Sequence, residues 1–219
     1  MTDALVDESL WLIGAGPMAR EYAKVLSALG QAFVVIGRSE SSAAVFEESV
    51  GVPVRRGGLL SALSASGPPP IAIVAVGIDQ LANVTTALVE AGTRRVLVEK
   101  PAGLNSGEIR TLSLTADQTG ADILIAYNRR FFASVAAVRR IIEEDGGATS
   151  CLFEVTEYSD KIAELKKLEV VKASWFLANT SHVVDLAFYL CGIPVEGKCW
   201  NAGLLKWHPA AARFCGAGV

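Results

Sequence analysis

A glycine-spaced turn, Gly14-Ala15-Gly16-Pro17-Met18-Ala19, lies between an apolar run and an amphipathic one, and no other feature limits the fold so sharply. The run before it, Leu10-Trp11-Leu12-Ile13, reads as a buried strand. After it, Met18, Tyr22, Val25, Leu26 and Leu29 fall on one helical face, and Gly30 stands where that helix should stop. Gly14 permits the tight turn, Gly16 lets the backbone approach a pyrophosphate, and Ala19 is small enough for close helix–strand packing. Phosphates would rest at the helix N-terminus, where unpaired N–H groups and the dipole attract anions. The competing reading is a tight βα turn in an α/β protein that binds no nucleotide.

The next hundred residues repeat the alternation. Apolar strands are predicted over 33–36, 71–76, 96–98 and 123–125. Helices are predicted over 42–49, along Leu81, Val84 and Leu88, and over 106–118. Strands that are apolar throughout, each followed by a helix, imply a parallel sheet covered on both faces: a doubly wound Rossmann domain over residues 1–126. The pattern changes after Tyr127. A helix over 133–144, a strand over 150–158, a helix over 179–190 and a strand over 197–207 read as an α+β domain, 127–219, with a largely antiparallel open sheet.

Composition narrows the function by exclusion. With 20 basic and 23 acidic residues the net charge is −3, which favours neither nucleic acid nor an anionic membrane as a partner. The first seven residues, Met1-Thr2-Asp3-Ala4-Leu5-Val6-Asp7, lack the cationic and apolar regions of a signal peptide. Cys151, Cys191, Cys199 and Cys215 form no C-x-x-C pair and are expected as free thiols in a cytoplasmic protein. With two histidines in the chain, no metal-ligand spacing emerges.

Two strand ends carry chemistry. The second strand ends in Gly37-Arg38-Ser39, where an enzyme using NAD usually presents an acidic residue to the ribose. A guanidinium and a hydroxyl suit a 2′-phosphate, so NADP is expected over NAD. The alternative is a solvated surface arginine. Val98-Glu99-Lys100-Pro101 closes a later strand, at the sheet edge where such folds bind ligands. The proline biases Lys100 towards an extended conformation, and a lysine held near a dinucleotide can bond a substrate hydroxyl. Downstream, His182, Asp185 and Tyr189 share one helix face, while Val183, Leu186, Ala187 and Leu190 form an apolar stripe for the core.

Glu99-Lys100-Pro101 after the glycine turn, then Tyr127-Asn128-Arg129-Arg130-Phe131, then His182-Val183-Val184-Asp185, resembles the glucose-fructose oxidoreductase / inositol dehydrogenase / MocA family across nearly the whole chain. The resemblance implies hydride transfer between a nicotinamide cofactor and a hydroxyl or ketone carbon of a sugar, cyclitol or sugar nucleotide. Lys100 then looks like the catalytic lysine, His182 like the histidine that exchanges a proton with the reacting hydroxyl, and Asp185 like its companion carboxylate. Cofactor contacts are expected from Gly14, Gly16, Pro17, Met18, Ala19, Arg38, Ser39, Val76, Glu99 and Lys100, and substrate contacts from Tyr127, Asn128, Arg129 and Arg130. Either arginine suits a substrate anion, or one of them is a structural ion-pair partner. Many members carry an aspartate four residues before the histidine, where this chain has Ala178, which argues for a substrate of its own.

Rivals are few. None of the four tyrosines has a lysine four residues on, which excludes the dyad of short-chain dehydrogenases. A methyltransferase has no use for Glu99-Lys100-Pro101. A dinucleotide-binding sensor without turnover stays open. The family's members are usually longer, the apolar, glycine-spaced tail over 213–219 looks like a turn entering another strand, and two strands alone make a marginal sheet with an exposed edge near 198–207. The expectation is therefore a truncated chain, or one completed by a partner, that binds cofactor and self-associates as a homodimer or homotetramer.

Overall fold

The computed structural model describes residues 9–206 and 211–219. The expectation about the first seven residues, and the end of the strand predicted to reach Trp207, lie outside these. The chain divides into two compact units, Met1–Ala126 and Tyr127–Val219.

The first unit is a six-stranded parallel sheet in the order β3-β2-β1-β4-β5-β6. Its strands are β1 (Leu10–Ile13), β2 (Val34–Ile36), β3 (Val54–Arg55), β4 (Ile71–Val74), β5 (Arg95–Val98) and β6 (Asp122–Ile125). The helices are α1 (Pro17–Ala28), α2 (Glu40–Val50), α3 (Gly58–Ser66), α4 (Leu81–Ala91) and α5 (Ser106–Thr119). All four residues of β1 are buried, because it lies in the middle of the sheet with helices on both sides. Trp11 and Ile13 point into one core with Leu81, Leu88 and Val89. Leu10 and Leu12 point into the other with Val35, Phe46, Ala19 and Ala23. This alternation on a continuous apolar strand is what a doubly covered sheet requires. The short pair β3 and α3 escaped the sequence reading. Two residues give β3 no period, and the Gly-, Ser- and Ala-rich run over 57–67 has the composition of a loop.

The second unit contains α6 (Ala133–Glu144), α7 (Ser159–Glu164), α8 (Glu169–Ala173), α9 (Ser181–Cys191), β7 (Gly197–Ala202) and β8 (Arg213–Gly218). A 3₁₀ turn, Asn128–Phe131, precedes α6, and a π-helical turn, Phe176–Thr180, leads into α9. Two expectations are corrected. The strand over 150–158 is absent: 150–158 is irregular, with Leu152 98% exposed. A β-prone run becomes a strand only where a neighbour supplies its ladder, and among the described residues β7 pairs with β8 instead. The tail over 213–219, expected to be a turn entering a further strand, is itself that strand, antiparallel to β7 with Trp200 opposite Cys215. The apolar stripe of α9 is half-buried, since Val183, Leu186, Ala187 and Leu190 all keep some exposure. A two-stranded ribbon offers little surface to cover it. One compact cluster stands out, with Phe176 stacked on Phe214 at 4.3 Å and the buried Trp175 edge-on to Phe214 at 5.7 Å.

Candidate functional site

The order of the parallel strands reverses between β1 and β4, and the Gly14 turn lies at that switch point. Gly14 donates its N–H to the Ile36 carbonyl at 2.8 Å and has φ +121°, a conformation that favours glycine. A Cβ here would stand 2.3 Å from the Ala75 carbonyl oxygen and 3.4 Å from the Val76 nitrogen. The turn is therefore pressed against the backbone that leaves β4, which brings Val76 beside it. Gly16 differs. It caps α1 at φ −85° and ψ −174°, and a Cβ added to it meets nothing within 4 Å. No side chain caps α1 and no acidic residue stands in its first turn. Pro17 opens the helix, Met18 is exposed and Ala19 is completely buried. An uncapped, positively polarised helix end with an open glycine over it fits a pyrophosphate.

Gly37, at the end of β2, is required by packing, since a Cβ there would fall 2.6 Å from Val54 Cγ1. Arg38 follows, exposed, with its Cβ and Cγ 3.7 Å from where a Cβ on Gly58 would stand at the start of α3. Ser39 is the N-cap of α2 and accepts the Ser42 N–H at 3.4 Å, so its hydroxyl has a structural task. Two carboxylates of α2 are taken by Arg56, whose Nε donates to Glu40 Oε2 at 2.7 Å and whose Nη2 donates to Glu47 Oε2 at 2.7 Å. Hydrogen bonds from Arg56 and from the Val54 N–H hold Glu47 down at about 2.

At the end of β5, the Glu99 N–H reaches the Val74 carbonyl at 2.9 Å, and Glu99 Oε1 accepts the Tyr22 hydroxyl at 2.7 Å. Burial and this carboxylate push the Tyr22 phenol well above its ordinary range. The bond ties α1 to the strand that presents Lys100 and gives Glu99 a partner that the sequence reading did not foresee. In the sequence Tyr22 shows only as a helix-face position. Lys100 is half-buried, and the Lys100–Pro101 peptide bond is cis.

In the second unit, Tyr127, Arg130, His182, Asp185 and Tyr189 form one connected group. The His182 ring meets the Tyr127 ring edge-on, with centroids 5.8 Å apart at 82°. Both oxygens of the Asp185 carboxylate accept from Arg130, Oδ2 from Nε at 2.8 Å and Oδ1 from Nη2. The same guanidinium lies 5.9 Å from the Tyr127 ring and 4.9 Å from the Tyr189 ring. Of the two arginines left undecided by sequence, Arg130 is the ion-pair partner. Asp185 thereby acquires a cationic partner besides any task towards His182. Arg129 is half-buried and Asn128 exposed. Burial raises the Tyr127 phenol. Arg139 on α6 was not anticipated: its guanidinium covers the Tyr189 ring at 4.7 Å, donates to the Tyr189 hydroxyl, and donates to Glu143 at 2.8 Å. Its one signal in sequence was a basic residue four before an acidic one on a helix. Among the described residues, no group of three His, Cys, Asp or Glu side chains is placed to hold a metal, and no helix is long and apolar enough to cross a membrane.

The chain is similar to several known proteins. Inositol 2-dehydrogenase of Rhizobium meliloti (strain 1021) is 25% identical over 185 residues, covering 83% of this chain and 54% of that protein. Trans-1,2-dihydrobenzene-1,2-diol dehydrogenase of Mus musculus is 27% identical over 135 residues, 60% of this chain and 40% of that one. This chain thus spans about half the length of these curated relatives or less. The crystal structure of the WlbA dehydrogenase from Bordetella pertussis, in complex with NADH and UDP-GlcNAcA, has the same fold: TM-score 0.75 at 18% identity, covering 96% of this chain and 66% of that one. The sequence pattern of the oxidoreductase family with an NAD-binding Rossmann fold matches residues 9–127, more than half of the chain. The chain therefore belongs to that family, the Gfo/Idh/MocA oxidoreductases.

Proposed function

We propose that the chain is the nucleotide-binding and part of the substrate-binding portion of a dehydrogenase that acts on a ring-borne hydroxyl of a sugar, cyclitol or sugar nucleotide and prefers NADP. The observation that carries this reading is the turn at the switch point, where Gly14 is forced by the end of β4 and Gly16 leaves the N-terminus of α1 open. Gly14, Gly16, Pro17, Met18 and Ala19 would hold the pyrophosphate, with Val76 and Glu99 on the neighbouring strand ends. Arg38 would take the 2′-phosphate, a role supported by the pairing of Glu40 and Glu47 with Arg56, which removes acidic competition at the end of β2. Bound nicotinamide supplies the hydride acceptor or donor. Lys100 would bond the reacting hydroxyl and His182 would exchange its proton. Arg130, by neutralising Asp185, would keep a lone carboxylate from dominating the surroundings of His182. Tyr127, Asn128 and Arg129 would contact the substrate.

The names of the relatives support the substrate class, since inositol and a dihydrobenzenediol are cyclic polyols and UDP-GlcNAcA is a sugar nucleotide. The four free thiols suit a cytoplasmic protein, and a homodimer or homotetramer is the expected assembly. The test is to incubate the protein with NADP and a panel of cyclitols, sugar acids and sugar nucleotides and follow the absorbance of reduced nicotinamide. Reduction with one member supports the reading. Cofactor binding without reduction by any member would replace it with a dinucleotide-binding protein that does not turn over.

A further inference from the structure

Tyr22 has no task in the chemistry above, yet its hydroxyl ends at the site. It stands in the second turn of α1, with Ala19 and Leu26, both buried, about one helical turn to either side. A phenol half-buried on that face needs a partner for its O–H. It finds one 77 positions away, where it donates to Glu99 Oε1 at 2.7 Å. The backbone of Glu99 is pinned as well. Its N–H donates to the Val74 carbonyl at 2.9 Å, and its carbonyl accepts the Ala102 N–H at 3.0 Å, which closes the turn over Lys100 and Pro101. Every polar group of Glu99 but one is therefore held. The exception is Oε2, which takes part in no hydrogen bond with the described residues. An ionised carboxylate only accepts, so this oxygen is suited to a hydroxyl. The sheet order says which hydroxyl. In β3-β2-β1-β4-β5-β6 the switch point between β1 and β4 separates Arg38, at the end of β2, from Glu99, at the end of β5. A dinucleotide lying across that point has its adenosine half towards Arg38 and its nicotinamide half towards Glu99.

We propose that Tyr22 is a positioning residue: by holding Glu99 Oε1 it aims Oε2 at a ribose hydroxyl of the nicotinamide half. The helix whose N-terminus receives the pyrophosphate thus also sets the grip on the far end of the dinucleotide. This role rests on the dinucleotide site proposed above. Burial, reinforced by the Glu99 carboxylate, raises the phenol above its ordinary range, so Tyr22 keeps the proton it donates. Without that hydroxyl the Glu99 side chain regains its rotamers, and binding must then order them.

Tyr22→Phe keeps the ring and removes the hydroxyl. Calorimetric titrations measure NADPH and NADH, and the adenosine-half fragments 2′,5′-ADP and ADP, while melting is followed without ligand. The dinucleotide that the unmodified protein holds more tightly should bind the variant about tenfold more weakly, with its matching fragment bound as before. Added to Glu99→Ala, Tyr22→Phe should cost nothing further, because a hydroxyl that acts through a carboxylate is idle once the carboxylate is gone. A structural tie alone would instead lower the melting temperature and weaken dinucleotide and fragment alike. Equal loss for the fragment, an unchanged dinucleotide affinity, or additive losses in the double variant would overturn the role of Tyr22 and leave the dinucleotide site standing. Failure of all four ligands to bind the unmodified protein would remove both.

Discussion

Gly14 and Gly16 belong to one motif but should fail in opposite ways when replaced by alanine. At Gly14 the new methyl would sit 2.3 Å from the Ala75 oxygen, 1.1 Å inside the 3.4 Å at which ordinary contact begins. The obstacle is backbone in the centre of a parallel sheet, so no side chain can swing away. Relief requires β1 and β4 to part at their ends. That strains the Ala75 N–H bond to the Ile13 carbonyl and the Gly14 N–H bond to the Ile36 carbonyl, each 2.8 Å long. Losing one buried backbone bond costs about 1–2 kcal/mol. Forcing alanine to φ +121° adds about 1–2 kcal/mol. Gly14→Ala should therefore lose about 3 kcal/mol, and with a urea slope of about 2 kcal/mol per molar the midpoint should fall by about 1.5 M. Gly16 has an ordinary negative φ and an open Cβ position, so Gly16→Ala should melt within about 0.5 kcal/mol of the unmodified protein. Its methyl would occupy the approach of the pyrophosphate, and dinucleotide affinity should fall at least about tenfold, or 1.4 kcal/mol. Urea melts followed by far-UV circular dichroism without cofactor, with fluorescence titration of NADPH, read both quantities. Equal melting of Gly14→Ala and the unmodified protein would refute the steric reasoning. So would a Gly16→Ala variant that loses as much stability as Gly14→Ala.

Arg38→Ala should remove most of a preference for NADPH over NADH, about one to two decades in affinity, by paired fluorescence titrations; equal affinities in the unmodified protein would disprove the assignment. Lys100→Met and His182→Ala should each lower turnover on the screened substrate by about 10²–10⁴-fold while leaving cofactor affinity nearly unchanged, and near-normal rates in both would move the chemistry elsewhere. Glu47 titrates at about 2 in the fold against an ordinary 4.5, a depressed carboxyl. The stability it contributes is therefore complete above about 4.5 and is lost as pH falls from there towards 2. Acid melts of the unmodified protein should be steeper across that window than those of Arg56→Gln, and superimposable curves would show the pair to be inert.

The N-terminal sheet was legible in sequence because its signals are local and agree with one another. Leu10 to Ile13 is apolar at every position, which only a strand covered on both faces satisfies, and the glycine turn and amphipathic helix follow it without a gap. The candidate residues Lys100, His182 and Asp185 were legible through their company in the chain, which the family resemblance supplied. Other features depended on partners far away in sequence. Nothing in Gly14 itself announces the Ala75 oxygen, nor in Glu99 the Tyr22 hydroxyl that is 77 positions distant. The sequence left Arg129 and Arg130 as equals, and only the packing of α9 against the 3₁₀ turn chose Arg130 for Asp185. The run over 150–158 has the composition of a strand and became irregular, while the glycine-spaced tail became β8, because a strand exists only when another chain segment completes its hydrogen bonds. Residue type and period are written locally and determined the doubly wound half. Pairing is a property of two segments at once, and only the tertiary structure decided it.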